Sequence, residues 1–359
     1  MLVEKKKPKK IVFFLFFLII LILIVGLGVG TYFYMIGPVN KNNKDNIEVV
    51  IPNGTTSTEI ASILKEKKLI QNELVFKIYL KLNKHDSLKA TTYQLNQSMS
   101  VSDIVKLLEK GNTYNPDEVK ITFKEGKRIT DYAKEIEKCT NHSYEEVIEV
   151  MKDREYMKTL ISKYWFLTDS ILDTEIYYPL EGYLAPDTYH LKNKDVSIEE
   201  ILTTMLDQME KNLDKYKDSI SNIHETFTMA SIVELEGTNS ENRKMIAGIF
   251  QNRLNSRMNL GSDVTTYYGL QEAMNRDLTT EEFNSSNGYN TREPSMIGKL
   301  PVGPICNFSM SSLEASIYPT DSDYLYFVAD KNGKIYYTKT MKEHEAKVAE
   351  IKANGDWIW

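Results

Sequence analysis

Two glutamates two positions apart, Glu234 and Glu236, are the residues whose placement best suits acid–base chemistry. The apolar residues of 227–233 recur at helical spacing before them, and Gly237 interrupts the pattern after them. At the C-terminal end of an apolar helix, the helix dipole and the partly dry surroundings both disfavour an ionised carboxyl. A general acid needs the raised pKa that results, although two solvated glutamates at a helix end would give the same pattern.

The spacing of these glutamates limits how they could act. On a helix, side chains two residues apart point about 200° away from each other, so both cannot face one cleft. Ordinary glycosidases need two facing carboxyls roughly 5–9.5 Å apart, which this spacing does not provide. A single acid/base cleaves a sugar linkage when the substrate supplies the nucleophile. The 6-hydroxyl of N-acetylmuramic acid can do so by closing onto C1 as a 1,6-anhydro ring.

Other chemistries have weaker support. The histidines are scattered without HExxH or His-x₃-His spacing, and there is no Gly-x-Ser-x-Gly elbow or Gly-rich phosphate loop. Cys306 lies in a Pro- and Gly-rich loop without an activating neighbour, so a buried structural thiol is favoured. Cys139 and Cys306 could form one disulfide or remain two free thiols. We expect neither a metal site nor a cofactor.

The glutamates must be positioned by the elements around them. Residues 226–269 indicate two helices joined by a tight polar connection, with Asn239 or Ser240 capping the second. Downstream we expect a rigid loop at 298–309, a helix capped by Ser311 or Ser312, a hairpin around Asn332-Gly333, and a last helix over 341–353. Residues 180–191 predict an extended loop packed by its own tyrosines, either structural or ligand-binding.

The upstream elements form a smaller module. The pattern predicts a β–α–α–β–α unit: a strand over 47–51, a helix capped by Ser57 or Thr58, a helix over 73–82, a strand over 90–95, and a helix between Ser100 and Gly111. A strand over 118–123 and a helix from Thr130 partly repeat it. Two further helices are expected, over 144–160 and 197–216.

Length and charge set broad limits. The chain has 359 residues and a formal net charge of −6, enough for two or three domains. No basic patch with interleaved aromatic residues is present, so nucleic acid is not expected as the main partner.

The N-terminus predicts a membrane anchor. Five lysines between positions 5 and 10 precede a long apolar run, and about 20 such residues cross a bilayer as a helix. The lysines should stay in the cytoplasm, which places the rest of the chain outside it. A cleaved signal peptide is the alternative. The apolar run is long for one, and no Ala-x-Ala-like cleavage site follows Gly30.

Several motifs, in order, resemble the endolytic murein transglycosylases, the MltG or YceG-like family. They are EGYLAPDTYHL, ASIVELEGTNSENRKMIAGIFQNRL with SDVTTYYG, YNTRE, KLPVGPICN and SLEASIYPTDSDYLYFVAD. The upstream TTYQLNQSMSVSDIVKLLEKG is similar to the LysM-like portion of that family. The resemblance covers nearly the whole chain after the anchor.

The resemblance implies roles for individual residues. The family's single catalytic glutamate is the second in a Glu-x-Glu-Thr pattern, which corresponds to Glu236, with Glu234 in support. Other residues implied to line or support a glycan groove are Asn252, Arg253, Asp263, Thr265, Tyr268, Tyr289, Asn290 and Asn307. For Asn252 and Arg253 a solvated helix face is the alternative. Gly237, Val302 and Phe308 depart from the usual motifs, where Thr, Pro and Pro are expected.

The fold that the resemblance implies is α+β: one transmembrane helix, a small LysM-like β/α module, and a mainly helical YceG-like catalytic domain with a β-hairpin. The expected divisions are 1–10 (cytoplasmic tail), 11–36 (transmembrane helix), 37–46 (linker), 47–115 (LysM-like module), 116–190 (β/α subdomain) and 191–359 (transglycosylase domain). The implied activity is that of a lytic transglycosylase, a carbon–oxygen lyase. Expected partners are peptidoglycan glycan strands, the cytoplasmic membrane and peptidoglycan synthases. A glycan-binding scaffold and a hydrolytic muramidase are alternatives.

Overall fold

The computed structural model describes residues 9–85, 87–111, 115 and 117–357. Helices and short antiparallel strand pairs divide into two compact units, Met1–Pro116 and Asp117–Trp359. Most of the predicted tail lies outside the described residues. Helix α1, Lys9–Met35, follows, and its Phe13–Met35 portion is long and apolar enough to cross a membrane. By length and composition it fits either a membrane span or a signal sequence.

The remainder of the first unit has the predicted β–α–α–β–α order. Its elements are β1 (Ile47–Val50), α2 (Ser57–Glu66), α3 (Glu73–Asn83), β2 (Thr92–Leu95) and α4 (Val101–Lys110). Strands β1 and β2 are antiparallel. Ser100 caps α4, and Gly111 ends it in the left-handed conformation, as predicted. The predicted cap of α2 was wrong, because Thr56 takes that role in a capping box with Glu59.

The first half of the second unit pairs two strands distant in sequence. Its elements are β3 (Val119–Thr122), α5 (Ile129–Cys139), α6 (Tyr144–Lys152), α7 (Arg154–Lys163), β4 (Thr188–Leu191) and α8 (Ile198–Leu213). Strand β4 pairs antiparallel with β3, so the predicted loop at 180–191 ends in a strand. The boundary predicted between 190 and 191 falls inside that strand.

Two helix predictions in this half need correction. The single helix expected over 144–160 is two helices, because Asp153 has extended backbone angles and its carboxylate accepts from the Glu155 and Tyr156 N–H groups to cap α7. The helix expected over 197–216 ends at Leu213 and continues as a 3₁₀ turn, Asp214–Ser219. Further 3₁₀ turns span Asp169–Leu172 and Pro294–Met296.

The second half of this unit contains both glutamates. Its elements are α9 (Ile223–Glu236), α10 (Ser240–Asn255), α11 (Asp263–Gly269), α12 (Thr280–Phe283), α13 (Met310–Ile317), β5 (Tyr326–Ala329), β6 (Ile335–Thr338) and α14 (Met341–Ala353). The hairpin, the last helix and the Asn239 cap of α10 agree with the predictions. Ser309 caps α13, where Ser311 or Ser312 was expected.

Helix α9 is buried along most of its length, and this fixes where its C-terminal end lies. Its apolar residues contribute to two clusters of buried side chains, one shared with β3, α5 and α8, the other with α10 and the 300–305 loop. Cys306 is buried beside α9, its thiol 3.3 Å from the Ser231 carbonyl oxygen. Cys306 and Cys139 are both free thiols, so they do not form a disulfide.

Candidate active site

A cavity of about 380 Å³ lies at the C-terminal end of α9. Helix α10, the start of α11, the β5–β6 hairpin and α14 form its walls. The lining residues are Glu236, Phe250, Arg253, Leu260, Gly261, Ser262, Asp263, Val264, Arg292, Tyr326, Phe327, Met341 and His344. Of the ten residues implied by the resemblance, the cavity brings together three: Glu236, Arg253 and Asp263.

Glu236 is the last residue of α9 and is partly buried in the cavity wall. The Ser262 hydroxyl donates to its Oε1 over 2.6 Å. Burial raises the pKa of Glu236 above its ordinary value, and nearby Asp263 raises it further. The Ser262 hydrogen bond and the Arg292 and Arg253 charges oppose this shift without cancelling it. Glu236 is therefore placed to hold a proton at a pH where an exposed glutamate would have lost it.

Gly237 follows the candidate acid directly and ends α9. Its φ of −99° suits any residue, so backbone conformation does not require glycine here. Close packing does, because a Cβ at this position would lie 2.5 Å from Arg243 Cγ and 3.1 Å from Arg243 Cα. The glycine lets α10 start against the end of α9, and Glu236 remains the final helical residue.

Glu234 has different surroundings from Glu236, as the i, i+2 spacing predicts. Its Oε1 pairs with the Arg243 guanidinium at 2.9 Å. Its Oε2 accepts from the Ser309 N–H at 3.0 Å and from the Ser309 and Ser312 hydroxyls, each at 2.6 Å. These four donors tie α9 to α10 and to the start of α13. These contacts give Glu234 a structural role at the junction of the three helices.

Cationic side chains in the cavity are held in place by the protein. Arg253 donates to the carbonyl oxygens of Leu260 and, over 2.6 Å, Leu325, and its guanidinium lies 5.2 Å from the centre of the Tyr326 ring. Asp263 forms an ion pair with Arg292. Neighbouring Asn252 donates to the carbonyl oxygens of Ser322 and Tyr324. Both α10 side chains thus hold the segment entering β5, which excludes the solvated-face alternative.

Three comparisons with known proteins bear on this site. Residues 49–350 match the model of the YceG-like family. The chain belongs to the YceG-like family. It is 34% identical over 336 residues to a Bacillus subtilis protein named endolytic murein transglycosylase, covering 91% of this chain and 92% of that protein. It is also 34% identical to the Streptococcus pneumoniae protein of the same name, covering 90% of this chain and 63% of the other.

A crystal structure of a YceG-like protein from Listeria monocytogenes has the same fold. The TM-score is 0.61 at 38% sequence identity, with 85% of this chain and 99% of that chain covered. A mixed helix-and-strand architecture was therefore correctly predicted, and so was the family. The LysM-like identity of the first unit stays a prediction.

Five site residues implied by the YceG-like resemblance are buried and are absent from the cavity lining: Thr265, Tyr268, Tyr289, Asn290 and Asn307. Thr265 donates to the Ser262 carbonyl oxygen over 2.7 Å. Asn290 accepts from the Thr266 hydroxyl over 2.8 Å. The Asn307 side chain accepts from the Gly182 and Leu184 N–H groups at 3.0 and 3.2 Å. Of these, Thr265 contacts a residue of the cavity wall, and contact of the five residues with glycan stays a prediction.

Glu181 was not among the predicted site residues. It is only 1% exposed and accepts from the Ile129 N–H and the Tyr268 hydroxyl, both at 3.0 Å. Burial raises the pKa of Glu181 to about 8. It lies in the EGYLAPDTYHL motif, where sequence alone showed aromatic packing but not a buried carboxyl bridging α5 and α11.

The sequence also failed to identify several lining residues of the YceG-like cavity. Ser262 and Arg292 lie within or beside motifs that were recognised, so their types were visible but their contacts with Glu236 and Asp263 were not. Tyr326, Phe327 and His344 come from the C-terminal hairpin and α14. Within the described residues, no three His, Cys, Asp or Glu side chains are grouped closely enough to hold a metal ion.

Proposed function

We propose that this YceG-like chain is a membrane-anchored endolytic lytic transglycosylase. It would cleave the β-1,4 bond between N-acetylmuramic acid and N-acetylglucosamine within nascent peptidoglycan strands, leaving 1,6-anhydro-muramyl ends. Cleavage there would terminate or release strands during elongation. The relatives named endolytic murein transglycosylase, 34% identical over most of the chain, support this assignment.

The proposed mechanism uses Glu236 twice. Its neutral carboxyl protonates the glycosidic oxygen, the bond from C1 to that oxygen breaks, and N-acetylglucosamine leaves as an alcohol. The muramyl 6-hydroxyl attacks C1, and the Glu236 carboxylate takes its proton. The carboxyl is thereby regenerated and no water is consumed. Apolar walls such as Phe250, Phe327 and Met341 would help to keep water from C1.

One observation carries this proposal: the cavity offers a single carboxyl suited to proton transfer. Glu236 has its pKa raised by burial, whereas Asp263, the other carboxyl that lines the cavity, is paired with Arg292. A site with one available acid/base suits a substrate that supplies its own nucleophile. In this reading Glu234 holds the helix end and does not take part in proton transfer.

The location we propose is the cytoplasmic membrane, with one span, the N-terminus inside and the residues after the span on the extracytoplasmic side. The apolar helix Phe13–Met35 supports anchoring, and the lysines before it support the orientation. Peptidoglycan strands and the membrane would then be its partners, and synthases of the elongation machinery the source of its substrate. Residues 47–115 would form the LysM-like module.

The test uses the detergent-solubilised full chain and purified glycan strands, with products identified by mass spectrometry. We expect 1,6-anhydro ends from the wild type and at least a thousandfold loss of rate, about 4 kcal/mol, in Glu236→Gln, because the amide cannot supply the proton. Glu225→Gln, an exposed change at the other end of α9, is the matched control and should retain activity. Reducing ends would identify a muramidase, and binding without cleavage would identify a scaffold. Either result would contradict the proposal.

A further inference from the structure

A second cavity lies on the other side of the α9 terminus, and we infer that it binds a carboxylate of the peptide carried by the glycan strand. This inference rests on the proposed function. The cavity, here called the basic cavity, has a volume of about 310 Å³. It is lined by Gly126, Lys127, Arg128, Thr130, Asp131, Lys134, Leu235, Gln271, Ala273 and Met274.

The basic cavity and the Glu236 cavity share two structural elements. Glu236 lines one and its neighbour Leu235 lines the other. Helix α11 begins at the Glu236 cavity with Asp263, and Gln271, just beyond its end, lines the basic cavity. A seven-residue helix spans about 10 Å, which is on the scale of a disaccharide. An enzyme that cuts within a strand must hold sugars on both sides of the scissile bond, and the two cavities lie where that is possible.

The charge of the basic cavity is opposite to that of the chain. Lys127, Arg128 and Lys134 face a single acidic residue, Asp131, although the formal net charge of the chain is −6. The Asp131 carboxylate accepts from the Arg128 backbone N–H at 3.2 Å, where it caps α5. Across the described ranges none of the three cations forms an ion pair, so their charge is available to a ligand. In the Glu236 cavity, by contrast, Arg292 is paired with Asp263, and Arg253 donates to the Leu260 and Leu325 carbonyl oxygens.

The basic residues are attached to a well-fixed backbone. The Gly126 N–H donates to the Asn307 carbonyl oxygen over 2.7 Å, and the Asn307 N–H donates to the Lys127 carbonyl oxygen over 2.9 Å. The Arg128 guanidinium lies 5.0 Å from the centre of the Tyr268 ring. Because these hydrogen bonds already order the turn at Gly126 and Lys127, ligand binding carries little entropic cost of ordering it.

The chemical composition of a peptidoglycan strand indicates which of its groups the basic cavity would bind. The amino sugars of peptidoglycan are neutral along the chain, whereas the peptides on the muramyl lactyl groups carry carboxylates. A cavity with three unpaired cations next to the cleavage site therefore fits a peptide carboxylate better than a sugar ring. The Glu236 cavity, whose arginines already have partners in the protein and whose walls are partly aromatic, fits the sugars.

The test compares strands that carry peptides with strands from which an amidase has removed them. The double variant Lys127→Glu/Lys134→Glu should raise KM for peptide-bearing strands about tenfold, since reversing two cations weakens attraction for a carboxylate. It should leave kcat and the KM for peptide-free strands within about twofold. The control, Lys194→Glu/Lys211→Glu, makes the same charge change at exposed positions of the same unit.

Activity on peptide-free strands also shows that the double variant is folded. An unchanged KM for peptide-bearing strands would overturn the inference, and so would an equal rise for both kinds of strand. Equilibrium binding by calorimetry in the Glu236→Gln background separates this inference from the proposed function, because it needs no cleavage. A loss of affinity specific to peptide-bearing strands, weaker at high salt, is expected there. Equal affinity for the two strands would contradict the basic cavity as a peptide site.

Discussion

At the scale of single residues, two glutamates at the same helix end differ in the hydrogen-bond and ion-pair partners of their carboxyl groups. Glu234 accepts from four donors, one of which is the Arg243 guanidinium. Glu236 accepts from one hydroxyl beside a negatively charged neighbour, and burial dominates its pKa. The helix dipole is the same for both, so it cannot account for the difference. What distinguishes the proposed acid from the structural carboxylate is the number of donors that later segments bring to each.

Removing the Ser262 hydroxyl should shift the pH dependence of catalysis. The Ser262 hydrogen bond favours the ionised form of Glu236 and so lowers its pKa against the larger effect of burial. In Ser262→Ala the pKa of Glu236 should therefore rise further. The acid then stays protonated to higher pH, so the alkaline fall in kcat/KM should move to higher pH.

The measurement is a kcat/KM profile between pH 5 and pH 9 for both proteins. Thr159→Ala, which removes an exposed hydroxyl on α7, is a matched control that should leave the profile unchanged. A shift of the alkaline limb to lower pH would show that Ser262 does not stabilise the carboxylate.

At the scale of elements, the Glu234 carboxylate joins three helices. Its side chain is 6% exposed, and its partners lie on α10 and at the start of α13. Glu234→Ala would leave Arg243 buried without its counter-charge and the α13 donors without an acceptor. We expect a loss of about 3 kcal/mol in the free energy of unfolding of the second unit. Glu225→Ala, an exposed change on the same helix, should cost little.

The chain offers a selective probe for this experiment. Residues 1–116 contain no tryptophan, so tryptophan fluorescence during urea unfolding reports the second unit within the full chain. Equal unfolding midpoints for the Glu234→Ala and Glu225→Ala variants would show that the four donors contribute nothing net.

The helices and strands also show which structural features could be predicted from the sequence. Signals confined to a few residues were reliable: Asn332-Gly333 gave the hairpin, Gly111 ended α4, and Asn239 capped α10. Predictions failed where a residue could either extend one helix or cap the next. Asp153 caps α7 with its side chain, so the preceding helix ends there. Contacts between distant segments left no local signal, because Ser262 reaches Glu236 only after α11 has folded against α9. Glu236 could therefore be proposed as an acid from sequence, but most of the residues that line its cavity could not be identified.

At the scale of the whole molecule, the two units have separate cores. The fifteen buried side chains in the core of the first unit all lie between Val49 and Leu108. Every residue that lines the Glu236 cavity or the basic cavity belongs to Asp117–Trp359. The second unit therefore contains what both proposed sites require.

Deleting residues 1–116 should leave the second unit folded and active on soluble strands. We expect the tryptophan unfolding transition to keep its midpoint and kcat to stay within about twofold of the full chain. The same deletion carrying Glu236→Gln controls for contaminating activity. A lowered midpoint, or loss of cleavage in a folded fragment, would show that the first unit contributes to the site.

The hairpin and α14 form one wall of the Glu236 cavity, which has a consequence for the timing of biosynthesis. The ribosome makes the chain from the N-terminus, so α9 and its glutamate emerge well before Tyr326 and His344. Until those last elements have emerged and packed, the nascent polypeptide carries the acid without an enclosed pocket. A chain that stops before the hairpin would lack that wall, so the complete pocket forms only after the hairpin and α14 have been made.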